Sequence, residues 1–448
     1  MRAEQQYLEL FDKERDTLFR HSCDILNDAR EDARRHFDDK GFPTRRDERC
    51  KYTDVSMAFA PDYGLNLTRI VPGVNPYATY RCQVPNLSTS LYFVVNDSVM
   101  PPAPTNAPLP EGVTLCPLRE AARRFPDLMR NHYGHLADTA ADGLTALNTM
   151  LAQDGLFIHV AAGTKCQRPI QIVNVSAAQI DLLSTRRVLI IAEEGAELSL
   201  LFCDHSDDRH RYVSTQVVET FVGRSARLHL YSIEETHPDN QRFSHLYVRQ
   251  DEDSRFTLGS ITLMAGLTRN RTDIRLVGKG AEACAYSCVI ADSKQHVDNN
   301  LLVEHAAEGC TSNLLYKYVL EGQAVGAFAG HILVQEKAQH TVSDETNANL
   351  CTSPATRMYT RPILEIYADD VKCNHGSTIG RLDEQALFYM RQRGIDEAEA
   401  RLLLQHAFVN DVIRRVEPEP LRDRLAHLVE MRFRGLLRHC EGCTMCPQ

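Results

Sequence analysis

Two hydrophobic periods divide this chain. In residues 2–36 the apolar positions Leu8, Phe11, Leu18, Phe19, Ile25 and Leu26 recur at helical intervals within highly charged sequence, which predicts amphipathic helices. The pattern breaks around Gly41 and Pro43. Residues 61–117 are crowded with proline, including PPAPTNAPLP at 101–110, which excludes continuous helix and central strand. Helical character returns at Leu118–Met129 and Gly143–Ala152. From about Gly155 the period drops to two. FIHV, RPIQIVNV, RRVLIIA, AELSLLF, ARLHLYS and RFTLGSITL, separated by turn residues, predict many short strands.

These strands repeat. EEGAELSLL, GRSARLHLY, EDSRFTLGS, GKGAEACAY and AEGCTSNLL align on Glu197, Arg227, Arg255, Glu282 and Ser312, a period of 27–30 residues. A second alternating run, such as YVSTQVVETFV or DNNLLVEH, falls about halfway along each unit. Regular strand spacing without intervening helices points to a mainly β fold, a sandwich, barrel or β-solenoid, and the fixed repeat distance favours the solenoid: a right-handed parallel β-helix over residues 153–380. It follows an N-terminal helical and Pro-rich domain, 1–152, and precedes a C-terminal helical domain, 381–448. The open ends of such a solenoid need covering, and the flanking helices are placed to do it.

The C-terminal domain is well punctuated. Asp383–Arg393 has helix-forming composition closed by Gly394 in the C′ position. Asp396 to Glu399 has capping-box spacing, and Ile395 is placed to staple against Ala400. Leu402, Val409, Ile413 and Val416 continue one side; Pro418 and Pro420 break that helix; Leu421, Leu425, Leu428, Phe433 and Leu436 mark another. Two antiparallel helices with a short link form a partner-binding module.

Composition narrows the class. At 448 residues the chain exceeds the usual size of one core, and its formal charge of -10 with no Trp argues against a nucleic-acid platform. The N-terminus, MRAEQQYLELFDKERD, has no signal-type apolar core, and no run approaches the ~18 apolar residues of a membrane span, so a cytoplasmic protein is expected. Its 14 Cys are then read as reduced thiols open to metals.

Candidate chemistry is concentrated in DVKCNHGSTIGRLDEQALFYMRQRG, residues 370–394. Cys373 and His375 share a face only if the chain is extended, with Cα atoms roughly 6.6 Å apart at about 3.3 Å per residue. A sulfur and an imidazole nitrogen suit a soft metal, but a zinc-like structural site takes about four ligands and an iron–sulfur cluster several thiolates, so the others come from elsewhere, another chain included. The competing reading makes Cys373 a small hydrophobe beside Val371 and His375 a turn residue before Gly376. In the tail RHCEGCTMCPQ, Cys440, Cys443 and Cys446 form C-x2-C-x2-C beside His439, able to wrap one metal or cluster edge; a flexible thiol-bearing tail and an adventitious zinc site are the alternatives, since the fourth Cys of the ferredoxin pattern is absent. His205, Asp207, Asp208 and His210 read as a charged turn between strands, and Cys284 and Cys288 as small residues of the solenoid core.

Three separated segments together resemble the SufB/SufD family of iron–sulfur cluster assembly proteins. PTRRDERCKYTDV (43–55) is similar to the family's Lys-Tyr-Thr-Asp segment, with Cys50 where SufD proteins usually carry Trp. TALNTMLAQDGLFIHVAAG followed by RPIQI is similar to the entry into its β-helix, and the 370–394 segment is the most specific match. CNHGSTIG stands where SufB proteins typically have an EHEAT-like sequence, so the likeness is to the SufD branch; it spans roughly residues 43–416. The resemblance implies a parallel β-helix flanked by helical domains. It further implies a non-catalytic scaffold subunit that pairs with a SufB-like paralogue, or with a second copy when isolated, and docks a SufC-like ABC ATPase on its C-terminal helices. Iron or a nascent iron–sulfur cluster would be handled transiently at the paired surface, with reduced flavin a further cofactor proposed for the complex. The family's functional His falls on His375 and its neighbouring Cys on Cys373. No GxxxxGK[ST] P-loop is present, and GKGAEA at 278–283 lacks its spacing, so nucleotide chemistry belongs to a partner. Two other functions compete: a secreted-type β-helix enzyme acting on acidic polysaccharide, and a free-standing cluster carrier using the terminal thiols.

Overall fold

The computed structural model describes residues 3–70, 76–79, 91–103, 106–206 and 210–437. The helical N-terminal part holds α1 (Ala3–Arg20), α2 (Asp24–Asp28), α3 (Arg30–Lys40), α4 (Val55–Phe59) and α5 (Pro76–Thr79). The Pro-rich stretch yields only short strands, β1 (Leu91–Val95), β2 (Ser98–Val99) and β3 (Val113–Pro117), before α6 (Leu118–Arg124), α7 (Pro126–His132) and α8 (Gly143–Leu151). Sixteen further strands then follow without a helix. They are β4 (Leu156–Val160), β5 (Ile170–Ser176), β6 (Leu182–Ala192), β7 (Glu197–Ser206), β8 (Tyr212–Val222), β9 (Arg227–Glu235), β10 (Gln241–Gln250) and β11 (Arg255–Met264). The second half comprises β12 (Leu267–Leu276), β13 (Glu282–Ala291), β14 (His296–His305), β15 (Thr311–Leu320), β16 (Val325–Val334), β17 (Val342–Cys351), β18 (Arg357–Ile366) and β19 (Lys372–Gly380). Helices α9 (Glu384–Gln392), α10 (Glu397–Ile413) and α11 (Glu419–Phe433) close the described chain.

Strands join alternately to two sheets, so each coil supplies one strand to each. One sheet runs β19-β17-β15-β13-β11-β9-β7-β5-β1-β2 and the other β18-β16-β14-β12-β10-β8-β6-β4-β3. Every ladder from β4 and β5 onward is parallel, as a β-solenoid requires, whereas β1–β2 and β3–β4 pair antiparallel at the first end. The sequence repeat is the structural register: Glu197, Arg227, Arg255 and Glu282 stack as successive partners. The fifth member is Thr311 rather than Ser312. A one-residue slip exchanges the two faces of a strand, and here Thr311 is exposed while Ser312 is buried.

Alternation divides the side chains among three compartments. One face of both sheets fills the lumen with Ile158, Ile172, Leu200, Leu228, Leu258, Val303 and Phe328. A polar file crosses it, Arg242 donating to Asn270 (3.0 Å), Asn270 to Asn299 (2.9 Å) and Asn299 to Tyr318 (2.6 Å), so each coil is bonded side chain to side chain with the next. The N-terminal helices pack on the outside of the β4–β18 sheet, where Tyr7, Phe11, Phe42 and Phe59 meet Leu183, Val213 and Phe243. The C-terminal helices pack on the outside of the other sheet, where Val409, Ile413, Leu425 and Val429 meet Tyr231, Ile261, Tyr286 and Ile290. Cys284 and Cys288 belong to this outer contact and not to the solenoid core, because their parity is that of Tyr286. His205 is likewise no turn residue: it is buried within β7, while 207–209 lie outside the described residues.

Polar contacts fix the outer layers. Lys317 reaches from β15 to Asp411 (2.7 Å) and the carbonyl of Phe408 (2.8 Å), and Arg432 donates to the carbonyl of Leu263 and to Asp292. Asp383 caps α9 by accepting from the backbone N–H of Gln385 and Ala386, and Gly394 takes the left-handed φ of +84° that ends it. Asp396 caps α10 through Ala398 N–H, but Glu399, placed by sequence to complete a capping box, receives Arg434 from beyond α11 instead.

On the opposite face, Glu219 of β8 is completely buried. It accepts from Arg187 (2.6 Å) and from the backbone N–H of Gly134, Leu136 and Ala137, tying the loop after α7 to the solenoid. Removing one member of a buried pair strands the other charge, at a cost of about 3–5 kcal/mol. Glu219→Ala is therefore expected to lower the melting temperature by several degrees and open the 134–142 loop to limited proteolysis; an unchanged melting curve would contradict this role.

Candidate functional site

The solenoid's last coil is built from β17, β18 and β19, and both sheets end there. Among the described residues β18 pairs only back to β16 and β19 only back to β17, so each presents an unpaired edge. Burial collapses accordingly: residues of β15 are mostly buried, whereas β19 is mostly exposed. Tyr367 and Ile379 stand exposed near this end, which the chain's own helices leave open.

Cys373 and His375 lie on β19, extended and with equal parity, so the structure brings them to one face. That face is the lumen side. Their register partners on β17 are Ser343 and Glu345, followed by Asn347 beneath Ser377. Ser343, Glu345, Asn347 and Asn349 are buried while Val342, Asp344 and Thr346 between them are exposed. Cys373 is half-buried against the lumen core, and His375 is exposed above it. Burial pushes the Cys373 thiol up from its ordinary value, and the backbone N–H of Ser343 partly offsets this. A bound cation would lower it again by stabilising the thiolate.

The lumen floor beneath the pair divides into a satisfied and an unsatisfied part. Asn347 accepts from Asn349 (2.6 Å), Thr360 (2.8 Å) and Ser377 (3.2 Å) and donates to the carbonyl of Tyr316. Ser343 bonds Ser312 (2.7 Å), which bonds His305 (2.9 Å). Glu345 is 1% exposed, and neither carboxylate oxygen has a hydrogen-bond partner. Sequence reading missed Glu345, because a glutamate in the polar run SDETNANL carries no mark of burial until the register is known.

Among the described residues no three His, Cys, Asp or Glu side chains stand close enough to enclose a metal ion, so the Cys373 and His375 pair is incomplete by itself. The ten described cysteines are all free thiols. Cys440, Cys443 and Cys446 lie outside the described residues. No helix among the described residues is long and apolar enough to cross a membrane.

Burial raises the Glu345 carboxyl from 4.5 to about 7. A folded-state pKa above the unfolded one means stability is fully present below the unfolded value and lost as pH rises through the folded value. Glu345→Gln is expected to match the wild type near pH 5 within about 1 kcal/mol and to exceed it near pH 8 by roughly 2–3 kcal/mol. Melting temperatures of both chains at the two pH values check this; a difference independent of pH would refute the assignment.

Comparison with known proteins agrees with this architecture. The family profile described as SUF system FeS cluster assembly, SufBD core domain, matches residues 174–408, and that of the SufBD protein N-terminal region matches residues 1–172. The chain is 26% identical to the iron–sulfur cluster assembly protein SufD of Escherichia coli, over 88% of this chain and 90% of that one. It is 25% identical to a SufBD family iron–sulfur cluster assembly protein of Synechocystis sp., over 87% of each. A SufBD family protein of Mycobacterium leprae is 33% identical over 48% of this chain and 56% of its own length. The two profiles meet within β5, in the first coils of the solenoid, and together they cover both the helical layer on one sheet and the coils that carry Cys373 and His375: the chain belongs to the SufBD family of iron–sulfur cluster assembly proteins.

Proposed function

We propose that this chain is the SufD-type, non-catalytic subunit of an iron–sulfur cluster assembly scaffold, and that iron or a nascent cluster is held between its last coil and a SufB-like paralogue. The observation that carries this reading is the position of Cys373 and His375: one thiol and one imidazole, side by side on the strand at which the ladder stops. Thiolate and neutral imidazole suit iron, and two ligands leave room for a partner's. The unpaired edges of β18 and β19 supply the means of pairing, since an exposed parallel edge is a template for another chain's strand. In isolation, a second copy can occupy the same edge.

A SufC-like ATPase would dock on α9–α11. Phe388, Tyr389 and Leu403 are exposed there, and Arg393 lies 3.6 Å over the Tyr389 ring. The helices are pinned to the sheet by Lys317 and Arg432, so a displacement imposed on them reaches the solenoid rather than dissipating in a linker. Nucleotide hydrolysis then resides in the partner, and a reduced flavin would act in the assembled complex. A cytoplasmic setting suits the free thiols.

The test is reconstitution of the complex with a SufB-like paralogue and a SufC-like ATPase, carrying His375→Ala beside wild type. Iron content and cluster yield are expected to fall about tenfold, in line with losses at metal sites. Equal yields would make His375 a structural residue and remove the reading.

A further inference from the structure

A buried carboxylate with no donor in reach is costly, and folded proteins keep such groups where a ligand or a second conformation uses them. Glu345 is the clearest instance at the solenoid's end. The other lumen-facing polar residues of β17 are bonded: Ser343 to Ser312, Asn347 to Asn349 and Thr360. Glu345 has no bond to either oxygen. Its carboxylate crosses the lumen to Gly330 on β16, where an added Cβ would stand 2.3 Å from Oε1 and 2.6 Å from Oε2. The head group therefore occupies space that only a glycine leaves. Its register partner one strand outward is His375, on the same face, and adjacent strands lie about 4.8 Å apart, within reach of a carboxylate–imidazole hydrogen bond after a side-chain rotation.

We infer that Glu345 is a positioning residue for a divalent-cation site at the solenoid mouth: it accepts the N–H of the His375 imidazole while the other ring nitrogen and the Cys373 thiolate take the ion. This rests on reading Cys373 and His375 as a ligand pair, and goes beyond it in having this chain load the cation before a partner completes the shell. The Cys373 proton leaves to solvent, to which that residue is partly open. A carboxylate behind a ligating histidine fixes the ring and raises its basicity, and losing such a group typically costs 10–100-fold in metal affinity. The same carboxylate is buried without a hydrogen-bond partner, a cost to the fold, so cation binding and stability respond to its removal in opposite directions. A purely structural glutamate would move both together.

The experiment uses the full-length chain with Cys440→Ser, Cys443→Ser and Cys446→Ser, so that the tail thiols do not compete, titrated anaerobically with Co(II) and followed by thiolate-to-cobalt absorption. One Co(II) is expected to bind, about tenfold more weakly in Glu345→Gln and more weakly still in Glu345→Leu, although Glu345→Gln melts higher near pH 8. Equal affinity of wild type and Glu345→Gln would overturn the inference; if His375→Ala then still lost the ion, the ligand pair would stand without Glu345. Binding unchanged in His375→Ala would overturn both. No Co(II) bound by the wild-type chain would overturn loading before pairing, leaving the shared site to be judged on cluster yield in the complex.

Discussion

The parallel ladder governs this molecule. Each coil satisfies its backbone N–H and C=O groups on the coils before and after it, so the arrangement has no natural end and must be stopped by something other than another coil. At the first end the stop is built from the chain itself: β2 folds back on β1 and β3 on β4, both antiparallel, drawn from the Pro-rich segment that could not have entered the middle of a sheet. At the last end no such reversal occurs among the described residues. The loop at Glu48–Tyr52 braces β18 from its side, through Arg361 on Glu48 and the stacked rings of Tyr52 and Tyr359, but no strand among the described residues pairs with the outer edges of β18 and β19. A capped first end and an open last end are what the proposed pairing with a second chain requires.

The composition of the lumen changes toward that end. Through the middle coils apolar side chains share it with a hydrogen-bonded polar file and with buried charges that pair with one another, Arg186 on Asp204 among them. On β17 every inward position from 343 to 349 is polar: Ser343, Glu345, Asn347 and Asn349. The amides and hydroxyls there close on one another, leaving one carboxylate without a donor beneath the one exposed imidazole of the same column. Stability alone would favour an apolar residue at 345, and the proposed cation site is what would offset that cost.

Much of the fold was legible in the sequence because its signals are local. The switch from helical to alternating period, the repeat of 27–30 residues, Asp383 and Gly394 as helix punctuation, and Pro418 as a breaker all act within a few residues, and each matches an observed element. What was hidden depends on register. Thr311 and Ser312 differ by one position, which reverses their faces. Cys284 and Cys288 have strand parity in sequence, but which face is covered by the C-terminal helices is decided by packing. At the site, the shared face of Cys373 and His375 followed from spacing, whereas Glu345 becomes their neighbour only when residues 30 apart stack.

The open end of the solenoid is the proposed pairing surface. Hydrogen exchange of this chain, alone and with a SufB-like paralogue, measures it amide by amide. Added protection is predicted in Arg357–Ile366 and Lys372–Gly380, with the lumen coils before them unchanged. Protection confined to the outer helical layers, with those two strands exchanging as in the free chain, would contradict it.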